Sequence, residues 1–291
     1  MIDFIQMTVS GIAVGSSYAL MALGMVLIYK ASEVPNFVQG EMALLPVFIA
    51  YMLIYSYGQS VFTAFFGALA FAMFLGCFLE FAVVRRAKNP NILGLIIITI
   101  GLEMVLLGFV SWKFGADQRV MPFPISSYSS IMFGNVYIST LDLLTLVAAL
   151  VIMVALFLFF RFSKLGVAMK ATQQNETAAR LMGIRTNRVK MITWGISATV
   201  GTVAGLLLAP VFMEPYMMWD PLLKGFAAAV IGGMTSLPGA VFGAYIVGIT
   251  EHLFGGYVSM EYKAVVAFVV IVIVLCIKPS GLFARHYVKK V

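Results

Sequence analysis

The chain has 291 residues, of which 62% are hydrophobic and 11% charged, and its formal net charge is +7. A soluble domain usually carries about 25% charged residues, so this composition and a mean hydropathy of +1.02 exclude an ordinary soluble protein. They indicate a polytopic membrane protein. The basic residues lie at the ends of apolar runs and in one loop, where membrane topology explains them without nucleic-acid binding.

Eight apolar segments are candidates for membrane helices, because crossing the hydrocarbon core takes roughly 20 residues. They lie near 5–29, 37–57, 60–84, 91–112, 138–160, 191–213, 225–255 and 258–277. The sequence therefore predicts an all-α membrane protein with broken or re-entrant helices, in which residues 1–291 form a single transmembrane domain. Close helix packing is predicted by three GxxxG pairs, Gly11 with Gly15, Gly201 with Gly205 and Gly239 with Gly243.

The first interruption lies between the first two segments, where residues 31–42 read ASEVPNFVQGEM. Irregular backbone at membrane depth is tolerated only where it is buried in protein or lines a cavity. We therefore predict that this break lines a translocation path, through Pro35, Asn36, Gln39, Gly40 and Glu41. A short turn between two full spans is the open alternative.

The polar segment 161–190 contains seven Lys or Arg residues and one Glu. Basic loops stay in the cytoplasm, so this loop fixes the predicted orientation, with the N-terminus and the loop 113–137 outside and the C-terminus inside. The other basic residues predicted to face the cytoplasm are Lys30, Arg85, Arg86, Lys88, Lys278, Arg285, Lys289 and Lys290.

Within that loop, ETAARLMGI at 176–184 predicts a short amphipathic helix. Ala178, Leu181 and Met182 share one face at helical spacing, and Gly183 is a natural stop. Such a short helix is marginal in water, and apolar side chains exposed amid charge favour docking onto another protein. A solvated loop, or a helix lying on anionic lipid, is the alternative.

The seventh segment, 225–255, poses a topological problem. It must cross an even number of times between the cytoplasmic residues Lys190 and Lys278, yet 31 helical residues reach only about 46 Å, less than two crossings of about 30 Å. We predict a re-entrant or half-helix pair broken at GGMTSLPG, 232–239. Paired interruptions are typical of transport paths, so the predicted path also includes Gly232, Gly233, Pro238 and Gly239.

Neither a common catalytic motif nor a phosphate-binding loop occurs in the sequence, so we expect a transport subunit that is not an enzyme and holds no cofactor or metal. Acidic residues in spans are costly and often functional. Glu41 beside the first break is the strongest candidate. We favour solvated or interfacial positions for the remaining acids near spans, Glu80, Glu103, Asp142 and Glu251.

Four stretches carry a family resemblance: GSSYALMALGMVLIYKASEVPNFVQGEM (15–42), KATQQNETAARLMGIRTNRVK (170–190), FAAAVIGGMTSLPGAVFGAYIVGITE (226–251) and YKAVVAFVVIVIVLCIKPSGLF (262–283). Together they resemble the branched-chain amino acid (Liv-type) ABC transporter permease family. The chain is similar to the shorter of the two permease subunits that usually pair as a heterodimer. The resemblance covers essentially the whole chain in order.

The resemblance implies an ABC importer permease in the bacterial inner membrane, with two cytosolic ATP-binding subunits and a periplasmic substrate-binding protein as partners. ATP would be bound by those partner subunits and not by this chain. The resemblance also implies a coupling helix over 176–184 that sits in a groove of an ATPase subunit, through Glu176, Ala178, Ala179, Leu181, Met182, Gly183 and Ile184.

One motif departs from the family pattern. PNFVQGE at 35–41 stands where the family usually reads close to INFAHGE, so Val38 and Gln39 replace an Ala-His pair. The expected substrate is a branched-chain amino acid, with urea, a short amide or an aromatic acid as alternatives. An ion-coupled secondary carrier, using Glu41 and Glu103, is the runner-up among mechanisms.

Overall fold

The computed structural model describes residues 2–87, 91–122, 130–133, 136–278 and 280–283. In this part of the chain the helices are α1 Ile2–Ser32, α2 Gln39–Tyr55, α3 Val61–Ala82, α4 Ile92–Phe114, α5 Thr140–Phe162, α6 Lys164–Gln174, α7 Glu176–Leu181, α8 Thr186–Leu208, α9 Trp219–Gly232, α10 Leu237–Tyr257 and α11 Lys263–Ile277. A 3-10 turn spans Val84–Arg86, and an antiparallel hairpin joins β1 Ser130–Phe133 to β2 Val136–Ser139. The predicted helical membrane architecture is confirmed.

Six of these helices, α1, α3, α4, α5, α8 and α10, are long and apolar enough to cross a membrane, whereas α2 and α11 are shorter apolar helices. Burial within the chain differs sharply among them. In its most apolar window α1 is 83% buried, whereas α4 is 11% buried. The first helix is therefore the centre of the bundle, and α4 lies at its periphery.

Contacts between α1 and α10 are backbone to backbone. A Cβ placed at Gly248 of α10 would meet the backbone of both Gly11 and Gly15 of α1, and Gly15 also faces Ala244. Residue numbers rise along one helix as they fall along the other, so the two helices are antiparallel. In lipid, such close approach through small residues supplies packing energy.

Helix α8 makes the second set of close contacts. Gly195 packs against Met73 and Cys77 of α3, while Gly201 and Gly205 face α2. Small residues on α8 thus allow both α2 and α3 to pack closely against α8. The helix begins at Thr186, five residues before the predicted apolar run, because Thr186 and Val189 are buried although their neighbours are polar.

The segment 161–190, predicted as a loop, is mostly helical. It contains the end of α5, all of α6 and α7, and the start of α8. The sequence predicted a helix in this segment only over 176–184. Helix α6 was not predicted, because it is rich in polar residues. Arg85 donates to the backbone oxygen of Asn187 at 2.9 Å, and Lys30 lies over the ring of Phe160 at 5.2 Å. These contacts place Lys30, Arg85 and residues 163–190 at one end of the bundle, called here the basic end.

The first break is present as predicted. Helix α1 ends at Ser32 and α2 begins at Gln39. The 17 residues of α2 reach about 25 Å, which is shorter than a full span. Because Gln39 contacts Ser197 in the middle of α8 and Gly24, eight residues before the end of α1, α2 starts inside the bundle and not at its end. The chain therefore enters the bundle interior before α2 begins, and the alternative of a short turn between two full spans does not describe it.

The second break is also present, between α9, which ends at Gly232, and α10, which begins at Leu237. The predicted unit began too late, since α9 starts at Trp219 and not at 225. The 14 residues of α9 reach about 21 Å and the 21 residues of α10 about 31 Å. Only α9 is a half helix, and it extends over the exposed Asp220 and the buried Lys224, which form an ion pair.

On the other end, the predicted external loop 113–137 is described in part. Arg119 and Met213 form a β-bridge, and β1 and β2 form the hairpin. Pro122 lies in the described part, but Pro124 and part of the serine cluster lie outside the described residues, as do Lys88, Arg285, Lys289 and Lys290.

Candidate translocation and coupling sites

A buried polar cluster surrounds the start of α2. The Ser197 hydroxyl lies 2.7 Å from both the backbone oxygen of Gly24 and the Oε1 of Gln39, and Gln39 Nε2 donates to the backbone oxygen of Ser197 at 3.0 Å. Buried polar groups normally find such partners. This cluster joins α1, α2 and α8 at the predicted path residue Gln39.

Two other predicted path residues, Asn36 and Glu41, carry buried side-chain oxygens without partners. Among the described residues, both carboxylate oxygens of Glu41 and the Oδ1 of Asn36 have no hydrogen-bond partner. Their residues are 0% and 1% exposed. Glu41 shares a face of α2 with Phe48, seven residues on, whose ring lies 4.9 Å from that of Phe114 in α4. Unpaired polar atoms at this depth are costly, so they are candidates for a ligand contact.

The first break packs against the middle of α9. Gly40 faces Met218 and Leu222, and the rings of Phe37 and Phe226 lie 5.9 Å apart. Pro35 is half-buried. The predicted residues of this break are therefore close to one another and to the half helix.

The second break has a different partner, the segment 280–283. Leu282 N–H donates to Ile231 O at 2.8 Å, and Phe283 N–H donates to Gly232 O at 3.1 Å. Gly233 has φ +98°, which favours glycine, and Gly281 lies against it. Gly232 and Gly239 are buried against each other, whereas Pro238 is exposed. The two breaks thus contact different elements.

An ion-pair network surrounds Glu251, which lies in the second half of α10. Lys224 Nζ is 2.6 Å from Glu251 Oε1 and 2.8 Å from Asp220 Oδ2, and Lys263 Nζ is 3.7 Å from the same Glu251 oxygen. The Tyr18 hydroxyl donates to Glu251 Oε2 at 3.1 Å. The side chains of Lys224 and Glu251 are 7% and 2% exposed. This Lys224–Glu251 network connects α1, α9, α10 and α11.

The predicted solvated or interfacial position of Glu251 is wrong, because Lys224 and Tyr18 hold it inside the bundle. Sequence reasoning missed Lys224 altogether. The available signal was the spacing of Asp220 and Lys224, which is typical of an ion pair along a helix. Glu80 is corrected in the same way, since it is buried and 2.6 Å from Arg85. Glu103 and Asp142 are partly exposed.

At the basic end, α7 lies within the predicted amphipathic segment. The Asn175 side chain accepts a hydrogen bond from Ala178 N–H at 2.9 Å and so caps its start. Gly183, at φ +82°, ends the turn. Ala179 is buried and Ile184 half-buried, whereas Ala178, Leu181 and Met182 are exposed, the last two by 84% and 83%. The exposed residues form one apolar face, called here the α7 face.

Glu176 fixes α7 to α8. Its carboxylate accepts hydrogen bonds from Arg180 at 2.7 Å and from Lys190 at 2.8 Å. Burial acts to raise the pKa of Glu176, but the hydrogen bonds and positive charges of Lys190 and Arg180 outweigh burial, so the pKa is lowered. The lowered pKa means that the folded arrangement favours the charged carboxylate.

We expect Glu176→Gln to loosen α7 by about 0.5 kcal/mol, a partly exposed ion pair's usual contribution. A depressed folded pKa stabilises above the unfolded value of about 4.3, and this stabilisation is lost as the pH falls through the folded pKa. Hydrogen exchange of the α7 amides should therefore be about twofold faster in the variant at pH 7 and equal to wild type at low pH. Thr177→Ala is the control, and an unchanged difference at low pH would contradict the ion-pair explanation.

Beside α7 lies an open groove of about 440 Å³, lined by Arg85, Arg180, Ile184, Arg185, Thr186, Asn187 and Arg188. Two of its four guanidinium groups are paired, Arg85 with Glu80 and Arg180 with Glu176. The basic end therefore presents the α7 face next to concentrated positive charge.

Spanning helices around two interrupted segments, with a half helix held in the bundle by ion pairs, define a multi-pass membrane protein of the permease class. Residues 7–275 match the family described as the permease component of branched-chain amino acid transport systems, and the chain belongs to this family. The resemblance found in the sequence is thereby confirmed.

Two relatives are similar over nearly their whole length. The chain is 32% identical to the high-affinity branched-chain amino acid transport system permease protein LivH of Escherichia coli K12, and 29% identical to the corresponding protein BraD of Pseudomonas aeruginosa. Each alignment covers 99% of this chain and 98% of the relative. A solved ABC transporter described as of the metal-chelate type, in an inward-facing conformation, shares the fold, with a TM-score of 0.50 at 16% identity over 94% of this chain and 85% of that one.

Proposed function

We propose that the chain is the transmembrane permease subunit of an ABC importer that takes up branched-chain amino acids. The observation that carries this proposal is the likeness, over 99% of the chain, to permeases named for high-affinity transport of these amino acids. The relatives are permease subunits, which supports the view that ATP is hydrolysed by partner subunits and not here.

The proposed partners are a second permease subunit, two cytosolic ATP-binding subunits and a periplasmic substrate-binding protein. In the bacterial inner membrane, the basic end and the C-terminus would face the cytoplasm, since Lys and Arg resist translocation. The exposed apolar sides of α3 and α4 suit lipid or the second permease.

The α7 face is the proposed contact with an ATPase subunit. Glu176, Ala179 and Ile184 hold α7 on the permease, while Ala178, Leu181 and Met182 point away from it. Two exposed apolar side chains amid charge mark an interaction site, and the arginine groove favours an acidic rim on the partner. ATP-driven movement of the partner would then reach the bundle through α7, Gly183 and α8.

The first break is the proposed translocation path, through Pro35, Asn36, Gln39, Gly40 and Glu41. It supports this role by bringing unpaired polar atoms and the start of a helix into the bundle interior. The second break would contribute through Gly232, Gly233, Pro238 and Gly239 by letting α9 turn back against the segment 280–283.

The proposal is tested by reconstituting the chain with its partner subunits in vesicles and measuring uptake of labelled leucine. We expect uptake with ATP and none with a proton gradient alone. Competition by valine and isoleucine, but not by urea or phenylalanine, would support the substrate class. Uptake that persists without ATP would overturn the importer proposal in favour of an ion-coupled carrier.

Leu181→Asp is expected to lower ATP-driven uptake at least about tenfold, a loss of roughly 1.4 kcal/mol, because it would bury a charge at an apolar contact. Val167→Asp, at an exposed apolar residue of α6, is the matched control and should leave uptake near wild type. Co-purification with the ATPase subunit gives a second measurement. If Leu181→Asp retained both the ATPase subunit and full uptake, the α7 face would not be the contact.

A further inference from the structure

We infer that Glu41 and Asn36 form the part of the path that recognises the ammonium group of the transported amino acid, while the first-turn amides of α2 receive its carboxylate. This inference rests on the proposed function, which it makes more specific. It assigns a chemical requirement, a zwitterion, to the permease itself.

The part of this subsite that would bind the ammonium group is defined by three oxygen acceptors without partners. Glu41 Oε1, Glu41 Oε2 and Asn36 Oδ1 are buried and accept no hydrogen bond within the described residues. All three are acceptors, and an ammonium group carries three N–H donors and no acceptor. A buried carboxylate is stabilised by a charged donor, so a substrate ammonium supplies what these atoms lack.

Neighbouring polar groups do not supply a hydrogen-bond donor to these oxygens. The Gln39 side chain is already bonded to Ser197, and Asn36 Nδ2 donates to Gln39 Oε1 at 3.5 Å, which leaves only the Oδ1 of Asn36 unused. The polar cluster is thus complete around Gln39 and incomplete around Glu41. This contrast singles out Glu41 among the polar residues of the first break.

The part that would bind the carboxylate is the start of α2. Its first helical hydrogen bond runs from Met42 N–H to Val38 O, and Val38, the capping residue, offers no side-chain acceptor. The preceding amides, including that of Gly40, therefore have no intrahelical partner. A helix start of this kind attracts a carboxylate.

The two parts of the subsite are close together in the chain. Gly40 and Glu41 are consecutive residues in the first turn of α2, the Nδ2 of Asn36 lies 3.5 Å from the Oε1 of Gln39 in the same turn, and the ammonium and carboxylate of an α-amino acid share one carbon atom. Both acceptor residues are closed from solvent here. The substrate therefore reaches them in another, more open state of the transport cycle.

The first test uses the complete reconstituted transporter. We expect Glu41→Gln to lower leucine uptake at least about tenfold, while ATP hydrolysis stimulated by the loaded binding protein is retained. Glu41→Asp, which keeps the charge, should retain a larger share of uptake than Glu41→Gln. Asp142→Asn, a carboxylate in the first turn of α5, is the matched control and should transport normally. Equal loss in Glu41→Gln and Glu41→Asp, or full uptake by Glu41→Gln, would overturn the inference.

The second test measures ligand binding at the subsite in the absence of transport. Leucine, the cation isopentylamine and the anion 4-methylpentanoate are compared for their effect on the unfolding temperature of the purified complex. Leucine and isopentylamine should raise it in wild type and not in Glu41→Gln. Stabilisation by 4-methylpentanoate alone would overturn the ammonium assignment. Failure of ATP-driven uptake by wild type would instead overturn the proposed function, so the two failures are distinguishable.

Discussion

Lys224→Met is expected to destabilise the folded chain by about 3–5 kcal/mol, because it leaves the Glu251 carboxylate buried without its closest charged partner. Glu251 is 2% exposed and lies 2.6 Å from Lys224 Nζ. Its other contacts, the Tyr18 hydroxyl at 3.1 Å and Lys263 at 3.7 Å, are longer. The measurement is equilibrium unfolding of the purified protein in mixed detergent micelles.

Two control variants separate lost pairing from lost packing. Lys224→Met combined with Glu251→Leu should recover most of the stability, since replacing both members of a buried ion pair by apolar residues is often neutral. Lys263→Met removes a longer, more exposed contact and should cost less than about 1 kcal/mol. A Lys224→Met variant no less stable than Lys263→Met would show that Lys224 does not balance Glu251.

Gly248→Leu is expected to destabilise the bundle by at least about 3 kcal/mol through overpacking. A Cβ at this position would meet the backbone of Gly11 and Gly15, and backbone on two antiparallel helices cannot move aside as a flexible side chain can. The helices α1 and α10 must then separate, which also strains the contact of Tyr18 with Glu251. The same unfolding measurement, together with the yield of monodisperse protein, reports the effect.

Gly101→Leu is the matched control for this substitution. Gly101 lies in α4, and a Cβ there would have no neighbour within 4 Å. The variant adds the same side chain to a spanning helix and should stay within about 0.5 kcal/mol of wild type. Equal effects at Gly101 and Gly248 would mean that the approach of α1 to α10 does not cause the loss of stability.

Local sequence patterns predicted much of this fold. Apolar runs of spanning length located the helices, because each membrane helix needs its own continuous apolar stretch. The clusters near Pro35 and Pro238 located both breaks, since several helix-interrupting residues occur together there. The spacing of Ala178, Leu181 and Met182 predicted the exposed face at the basic end, where the structure places all three outside.

What local patterns could not supply is the pairing of distant residues. Glu251 meets Lys224 at a separation of 27 residues and Tyr18 at a separation of 233, so its burial depends on how four helices assemble. The orphaned oxygens of Glu41 are likewise visible only once Gln39 is seen to take Ser197 as its partner. The start of α9 was misplaced for the same reason, because Lys224 resembles the end of a span until its partners are known.

The central position of α1 has a consequence for biosynthesis. Among the described helices α1 is made before the others, yet much of the surface that encloses it belongs to α8, α9 and α10, which follow residue 185 along the chain. For most of translation its tightly packing glycine face has no protein neighbour and must be held by lipid or by the insertion machinery. The packing around α1 is therefore completed late in synthesis. A chain truncated before residue 237 lacks α10, the helix against which Gly11 and Gly15 pack.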